Sequence, residues 1–158
     1  MLIGFALLTQ VALAQQPIKI GAINPYSGTL ALCGAEVTRS YELVVEQANA
    51  AGGVLGRKID LVRGNAAKPQ QFIASVEQLF SKDKVDLFAG NYGSAGANTA
   101  SDTALSYNKL CWETASVLQS LTDRVIPKFV RVCPTSDHFA AAAVDAVRNL
   151  SHPRSKRT

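Results

Sequence analysis

The chain has 158 residues, 47% hydrophobic and 18% charged, which excludes a disordered polymer and gives enough length to bury one ordinary core. Its formal charge is +4, yet Arg154, Lys156 and Arg157 supply three of the positive charges at the very end, and the body is close to neutral. A nucleic-acid binder would gather Lys and Arg on one face to meet many phosphates together, so no nucleic-acid partner is expected.

Residues 1–14, MLIGFALLTQVALA, are apolar and end in the small-x-small pattern Ala12-Leu13-Ala14, followed at once by two glutamines and Pro17. This is the pattern of a signal peptide cleaved after Ala14, and it is too short to span a bilayer. No Lys or Arg precedes the apolar run, which leaves a short buried N-terminal segment as the alternative. Export is the expectation.

From residue 18 onward two textures alternate. A β-branched run predicts a strand over 18–23, ended by the turn chemistry of Asn24-Pro25-Tyr26-Ser27-Gly28. A helix is predicted over about 35–51, with Val37, Tyr41, Val44, Val45 and Ala48 on its inner face and Gly52-Gly53 closing it. Residues 58–62 read as a second strand. Pro69 starts a second helix whose core face carries Phe72, Val76, Leu79 and Phe80. Residues 85–89 read as a strand covered on both faces. A glycine-rich loop, 90–96, leads into a small-residue helix over 97–107. Further strands are expected at 110–112 and 129–132, and an alanine-rich helix over about 137–150. Strands alternating with helices predict an α/β fold: a doubly wound parallel sheet with helices on both faces. Ligands of such sheets sit at the carboxyl ends of the strands, which directs attention to loops 24–31, 90–96 and 112–118.

In loop 90–96, glycines let the backbone approach a ligand, and the helix start offers N–H groups to an anion. A carboxylate suits those donors, with the Ser94 hydroxyl beside them; a phosphate suits them too. The glycine spacing is not that of a dinucleotide fingerprint and it follows the third strand, and there is no Lys-Ser or Lys-Thr pair of a P-loop. A plain tight turn is the bland alternative. Tyr26 either stacks on a ligand or caps the sheet end. Trp112 is a ligand platform at the mouth or a core or rim residue, and Glu113 accepts from a ligand amine or is merely solvated. His138, within Ser136-Asp137-His138, reads as part of a helix cap. No nucleophile elbow, metal-binding helix or paired carboxylates are visible, so neither catalysis, a metal nor a cofactor is expected. Cys33, Cys111 and Cys133 are spaced too widely for a metal site. The stretch Leu30-Ala31-Leu32-Cys33 lacks the long apolar run of a lipid-anchor signal. Cys111 and Cys133 fall at neighbouring strand ends, where either a disulfide or two separate thiols fits.

Several phrases carry a family resemblance: Ile18-Lys19-Ile20-Gly21 with Pro25-Tyr26-Ser27-Gly28; EQANAAGGVLGRKIDLV at 46–62; the run 84–90 with Tyr92 and Ser94; and Leu121-Thr122-Asp123 with Phe129-Val130-Arg131. Over about 17–150 the chain resembles the N-terminal lobe of type I periplasmic binding proteins of the leucine/isoleucine/valine-binding branch. The resemblance implies a solute-binding component of an ABC transporter that holds an amino acid, amide or small carboxylate and delivers it to a membrane permease. Carried over by position, it points to Ser94 with the neighbouring loop backbone at Gly93, then to Ala115 and Ser116, and more weakly to Tyr92 and Tyr26, as ligand-binding residues. Trp112-Glu113 departs from the smaller, less polar stretch of leucine binders, so amides, urea-like solutes and aromatic acids stay open. The resemblance also implies a second lobe that 151–158, a basic and atypical tail, does not begin; the chain reads as a truncated receptor. The alternatives are a flavodoxin-like or nucleotide-dependent enzyme using loop 90–96, and an amide-sensing regulatory domain.

Overall fold

The computed structural model describes residues 15–66 and 68–151. The leader expected at 1–14 and the basic tail beyond Ser151 lie outside the described residues. Five strands, β1 (Ile18–Asn24), β2 (Ile59–Asn65), β3 (Leu87–Gly90), β4 (Leu110–Glu113) and β5 (Phe129–Arg131), alternate with α1 (Ala31–Ala50), α2 (Pro69–Ser81), α3 (Ser94–Ser106), α4 (Ser120–Asp123) and α5 (Ser136–Ser151). The strands form one parallel sheet in the order β2-β1-β3-β4-β5. The chain steps from β1 to one side and then returns to its other side, so the strand order reverses between β1 and β3. A crevice opens at such a switch point, at the carboxyl ends of the strands.

The core lies between the sheet and the pair α2 and α3. Phe72, Val76, Leu79 and Phe80 of α2 and Ala100 and Ala104 of α3 pack on Ile23, Val85, Phe88 and Cys111. The apolar face expected for α2 is therefore the one that is buried. The expected third strand begins later, because Asp86 interrupts it: its Oδ2 accepts the Lys19 N–H at 2.9 Å. The third helix begins earlier than its small-residue run suggested, at Ser94, and α3 can lie tight on α2 only because Gly96 has no side chain. A Cβ there would stand 2.5 Å from the Phe72 ring.

Among the described residues, α1 is the helix that covers the other face of the sheet. Its inward line runs through Gly34 and Thr38, both buried, and on to Tyr41 and Val45. Val44, expected to face inward, is 62% exposed. The expected inner face is off by about one residue because a polar side chain, Thr38, occupies an inward position that hydrophobic spacing alone passes over. Beyond α1 the sheet carries an apolar groove of about 280 Å³, lined by Ile20, Ile59, Leu61, Ala89 and Trp112 against Tyr41 and Val44. Trp112 thus belongs to the sheet face, not to the mouth at the strand ends, because alternation along β4 sends it opposite to Cys111 and Glu113. His138 closes onto the start of α5, with Nδ1 2.7 Å from Thr135 Oγ1 and accepting the Thr135 N–H at 3.2 Å.

The bridge considered between Cys111 and Cys133 is not formed: all three cysteines are free thiols. Cys111 points into the core cluster, while the Cys133 thiol donates to the Ser116 carbonyl at 2.9 Å. The two side chains serve different surroundings. Denatured without reductant, the protein should therefore titrate three thiols per chain in a colorimetric assay; a count of one would restore the bridge.

Candidate functional site

Buried polar side chains collect at the carboxyl edge of the sheet. Asn24 ends β1, Asn91 follows β3, Glu113 ends β4 and Ser116 lies in the next loop, and all four are buried. Glu113 organises the edge. Only 1% of its surface is exposed, which corrects the expectation of a solvated acid: alternation along β4 turns it to the same face as Cys111, under the start of α3. One carboxylate oxygen, Oε1, accepts the N–H groups of Ala115 at 2.9 Å and Ser116 at 2.7 Å. The backbone N–H groups of Asn91 and Thr114 lie close enough to help lower the pKa of this carboxyl. A single side chain thus ties the loop after β3 to the loop after β4. Burial pushes its carboxyl above the usual range, while the four backbone donors hold it down.

Above this clamp lies the open end of α3. Gly93 precedes the helix at φ 128, a conformation that suits glycine alone, and it turns the chain sharply from strand to helix. The first N–H to bond back is that of Ala97, to the Gly93 carbonyl at 3.2 Å, so the N–H groups of 94–96 stand at the helix end. Ser94 sits beside them, and its Oγ accepts from Ser116 Oγ at 3.2 Å. Tyr92, Gly93, Ser94 and Gly96 line a cleft of about 230 Å³ with Pro25 and Leu30. An end of this kind, with a hydroxyl and free N–H groups, favours an anionic group.

The remaining candidates are placed less directly. The N–H groups of Ala115 and Ser116 are taken up by Glu113, so these residues face a ligand only with carbonyl or hydroxyl oxygen. The Tyr92 hydroxyl is hydrogen-bonded to the Cys33 thiol, which raises its pKa above the usual phenol value. The Tyr26 hydroxyl lies 2.6 Å from Thr38 Oγ1, and its N–H donates to Asn65 Oδ1 at 3.2 Å. The structure therefore brings Tyr92, Gly93 and Ser94 to one cleft, with Ser116 joined to Ser94, while Tyr26 bonds to Thr38 of α1. Two features escaped the sequence reading. Asn91 follows a buried strand directly, the one available hint of an edge position. The hydrogen bond between the Tyr41 hydroxyl and Thr114 Oγ1, which fastens α1 to the β4 loop, left no local signal; burial pushes the Tyr41 phenol up to about 12.

Glu113 makes a prediction with a definite sign. A carboxyl whose folded pKa lies above its unfolded value of about 4.3 contributes fully to stability below that value. The contribution is lost as pH rises through the folded pKa. Glu113→Gln keeps an acceptor for the backbone donors and cannot ionise. In urea denaturation from about pH 4 to about pH 8, the wild type should lose stability relative to Glu113→Gln as pH rises; a wild type that gains on the variant would contradict the assignment.

The family model described as periplasmic binding protein matches residues 17–155. A Leu/Ile/Val-binding protein homolog 7 from Brucella melitensis is 36% identical over 149 residues, covering 94% of this chain and 37% of the relative. The chain thus spans little more than a third of that relative's length. An ABC transporter substrate-binding protein from Sphaerobacter thermophilus superposes with a TM-score of 0.76 at 30% identity, over 85% of this chain and 37% of the other. A solute-binding protein of an ABC transporter from R. palustris, in complex with 4-hydroxybenzoate, superposes with a TM-score of 0.66 at 25% identity, over 75% of this chain and 32% of the other. Taken with the parallel sheet and its strand order, a match across nearly all of the described chain means that this protein belongs to the periplasmic binding protein family, type I.

Proposed function

We propose that this lobe is the half of a solute receptor that holds the polar head of a small ligand, an amino acid, amide or small carboxylate. The carboxylate of the ligand meets Ser94 Oγ and the N–H groups at the start of α3. An amine or amide N–H meets the oxygen side of the β4 loop, the Ser116 hydroxyl and the Ala115 carbonyl. Tyr92 supplies an apolar wall. The single observation that supports this reading most strongly is the Ser94 to Ser116 hydroxyl contact of 3.2 Å, because it puts donors and acceptors from two loops at one point of the cleft. The buried carboxylate of the site, Glu113, is engaged with backbone N–H groups, and a base so engaged is poorly placed for proton transfer, which favours binding without catalysis.

The relatives favour the rest of the reading. A Leu/Ile/Val-binding homolog and a solute-binding protein holding an aromatic acid share a small carboxylate as their common ligand chemistry. On this basis the protein is the periplasmic substrate-binding component of an ABC transporter, exported through the leader at 1–14 and delivering its ligand to a membrane permease. One lobe by itself buries a ligand from one side only, so residues 15–151 taken alone hold it weakly.

Amide chemical shifts of the labelled chain, titrated with leucine, glutamine, an aliphatic amide and 4-hydroxybenzoate, test the site. Saturable shifts at Ser94, Ala95 and Ser116 are expected for at least one of these, with affinity about tenfold weaker in Ser94→Ala through loss of a hydrogen bond to a charged group. Shifts confined to the groove around Trp112, or none with any of the four solutes, would count against it.

A further inference from the structure

The two edges of the sheet differ in charge. The chain enters β2, β3, β4 and β5 through turns 51–58, 82–86, 107–109 and 124–128, all at the amino edge of the parallel sheet. These turns hold seven cations and two acids, Asp83 and Asp86. The turns of the opposite edge, 25–30, 66–68, 91–93, 114–119 and 132–135, hold one charged residue, Lys68. The cleft thus opens at a nearly neutral edge, and the cations stand at the other end of the strands.

One of the seven, Arg124, is paired with Asp102. Arg57, Lys58, Lys82, Lys84, Lys109 and Lys128 make no ion pair among the described residues. Arg57 donates to the carbonyls of Gln16 and Pro17, Lys58 to that of Asn49 and Lys128 to that of Asn108 at 3.0 Å. Carbonyls at the ends of α1 and α3 steady a cation and leave most of its charge uncancelled. The ammonium groups of Lys82, Lys84 and Lys109 have no partner of either kind among the described residues. Of the acids, Asp86 is engaged with the Lys19 N–H. Lys19 and Asp60, one residue inside the edge, are register partners and offset each other. Glu46 and Glu77 stand about one helical turn, roughly 5 Å, further back.

Neighbouring strands lie about 4.8 Å apart, so the row of turns from β2 to β5 is about 19 Å wide across the order β2-β1-β3-β4-β5. The six cations are spread along this row, and none lines the cleft or the apolar groove. A spread row suits a flat array of phosphates better than one small anion, which would need the donors to converge. An apolar side chain protrudes at each end of the row. Leu55, before β2, is 90% exposed, and Val125, before β5, is 84% exposed. Both sit in the left-handed region, at φ 52 and φ 47, which is uncommon for a residue with a side chain and most unusual for a β-branched one. Cations flanked by protruding apolar groups match a bilayer surface, where phosphates lie over hydrocarbon.

We propose that the amino edge of the sheet docks on an anionic bilayer surface. Lys82, Lys84 and Lys109 meet lipid phosphates, and Leu55 and Val125 enter the headgroup layer. The cleft, at the opposite edge, then stays open to solute. This surface stands whatever solute the cleft takes, so its failure and the failure of the binding proposal are separable.

Co-sedimentation of the full chain with vesicles tests it, phosphatidylglycerol mixed into phosphatidylcholine against phosphatidylcholine alone. Binding is expected on the anionic vesicles only, weakening as salt is raised. The triple variant Lys82→Glu, Lys84→Glu, Lys109→Glu should bind at least about tenfold more weakly. A control of equal net charge, Arg39→Glu, Lys68→Glu, Arg148→Glu, changes side chains away from the edge and should bind much as the wild type does. The segments 1–14 and 152–158 are common to all three chains, so differences among them report the edge. Absent binding, equal binding to neutral vesicles, a folded edge variant that binds as the wild type does, or an equal loss in the control would each overturn the proposal. Should the triple variant not fold, Lys84→Glu alone reads the same contact through a loss of about fivefold, and unchanged binding there overturns it.

Discussion

The cleft depends on one buried carboxylate. Glu113 stands at the end of the fourth strand with almost no exposed surface, and it collects N–H groups from its own loop and from the loop after β3. Loops at strand ends leave the sheet ladder with unpaired backbone groups, and burying those groups dry is costly. A charged or neutral carboxyl with two acceptor oxygens answers several of them together. Without it, Ala115 and Ser116 would have to turn their N–H groups elsewhere, and the Ser116 hydroxyl would leave Ser94. The geometry at the start of α3 is therefore set from below, by a residue that need not touch the ligand.

The two faces of the sheet divide the work. On the α2 and α3 face the strands bury Ile23, Phe88 and Cys111 in a close-packed core, which fixes α3 and so the direction of its N-terminus. On the α1 face the packing is partly polar: Asn24, Thr38 and Tyr26 form a hydrogen-bonded chain, and Tyr41 reaches Thr114. Apolar packing places the helix that offers donors, and polar ties place the loops that complete the cleft. Directional bonds suit loops because they fix orientation, which non-directional apolar contact does not.

Periodicity carried the architecture. The β-branched run at 18–23, the helical stripe of Phe72, Val76, Leu79 and Phe80, and the glycine turn at 52–53 each imply their elements through spacing alone, and the alternation of strand and helix implies a parallel sheet. What hydrophobic spacing could not show is where polar residues face inward. Thr38 on the inner side of α1, and Glu113 and Asn91 under the cleft, resemble ordinary surface residues in the sequence. Their burial depends on partners far along the chain, such as the backbone of Asn91 for Glu113 or Tyr26 for Thr38. Trp112 stayed open for the complementary reason: an aromatic beside a candidate loop fits a ligand platform or a core or rim residue equally, and alternation along a four-residue strand decides which way it points. The placing of Ser94 at a helix start was legible because a serine after glycines at a strand-to-helix turn has a local chemical meaning.

The clamp formed by Glu113 is the claim on which the cleft rests, and amide hydrogen exchange measures it directly. In the wild type the N–H groups of Ala115 and Ser116 should exchange slowly for loop residues. In Glu113→Ala they should exchange at rates typical of open loops, while amides of the core strand, such as Phe88, keep their protection. Equal protection of Ala115 and Ser116 in the two proteins would contradict the account, because those N–H groups would then owe their order to something other than the buried carboxylate.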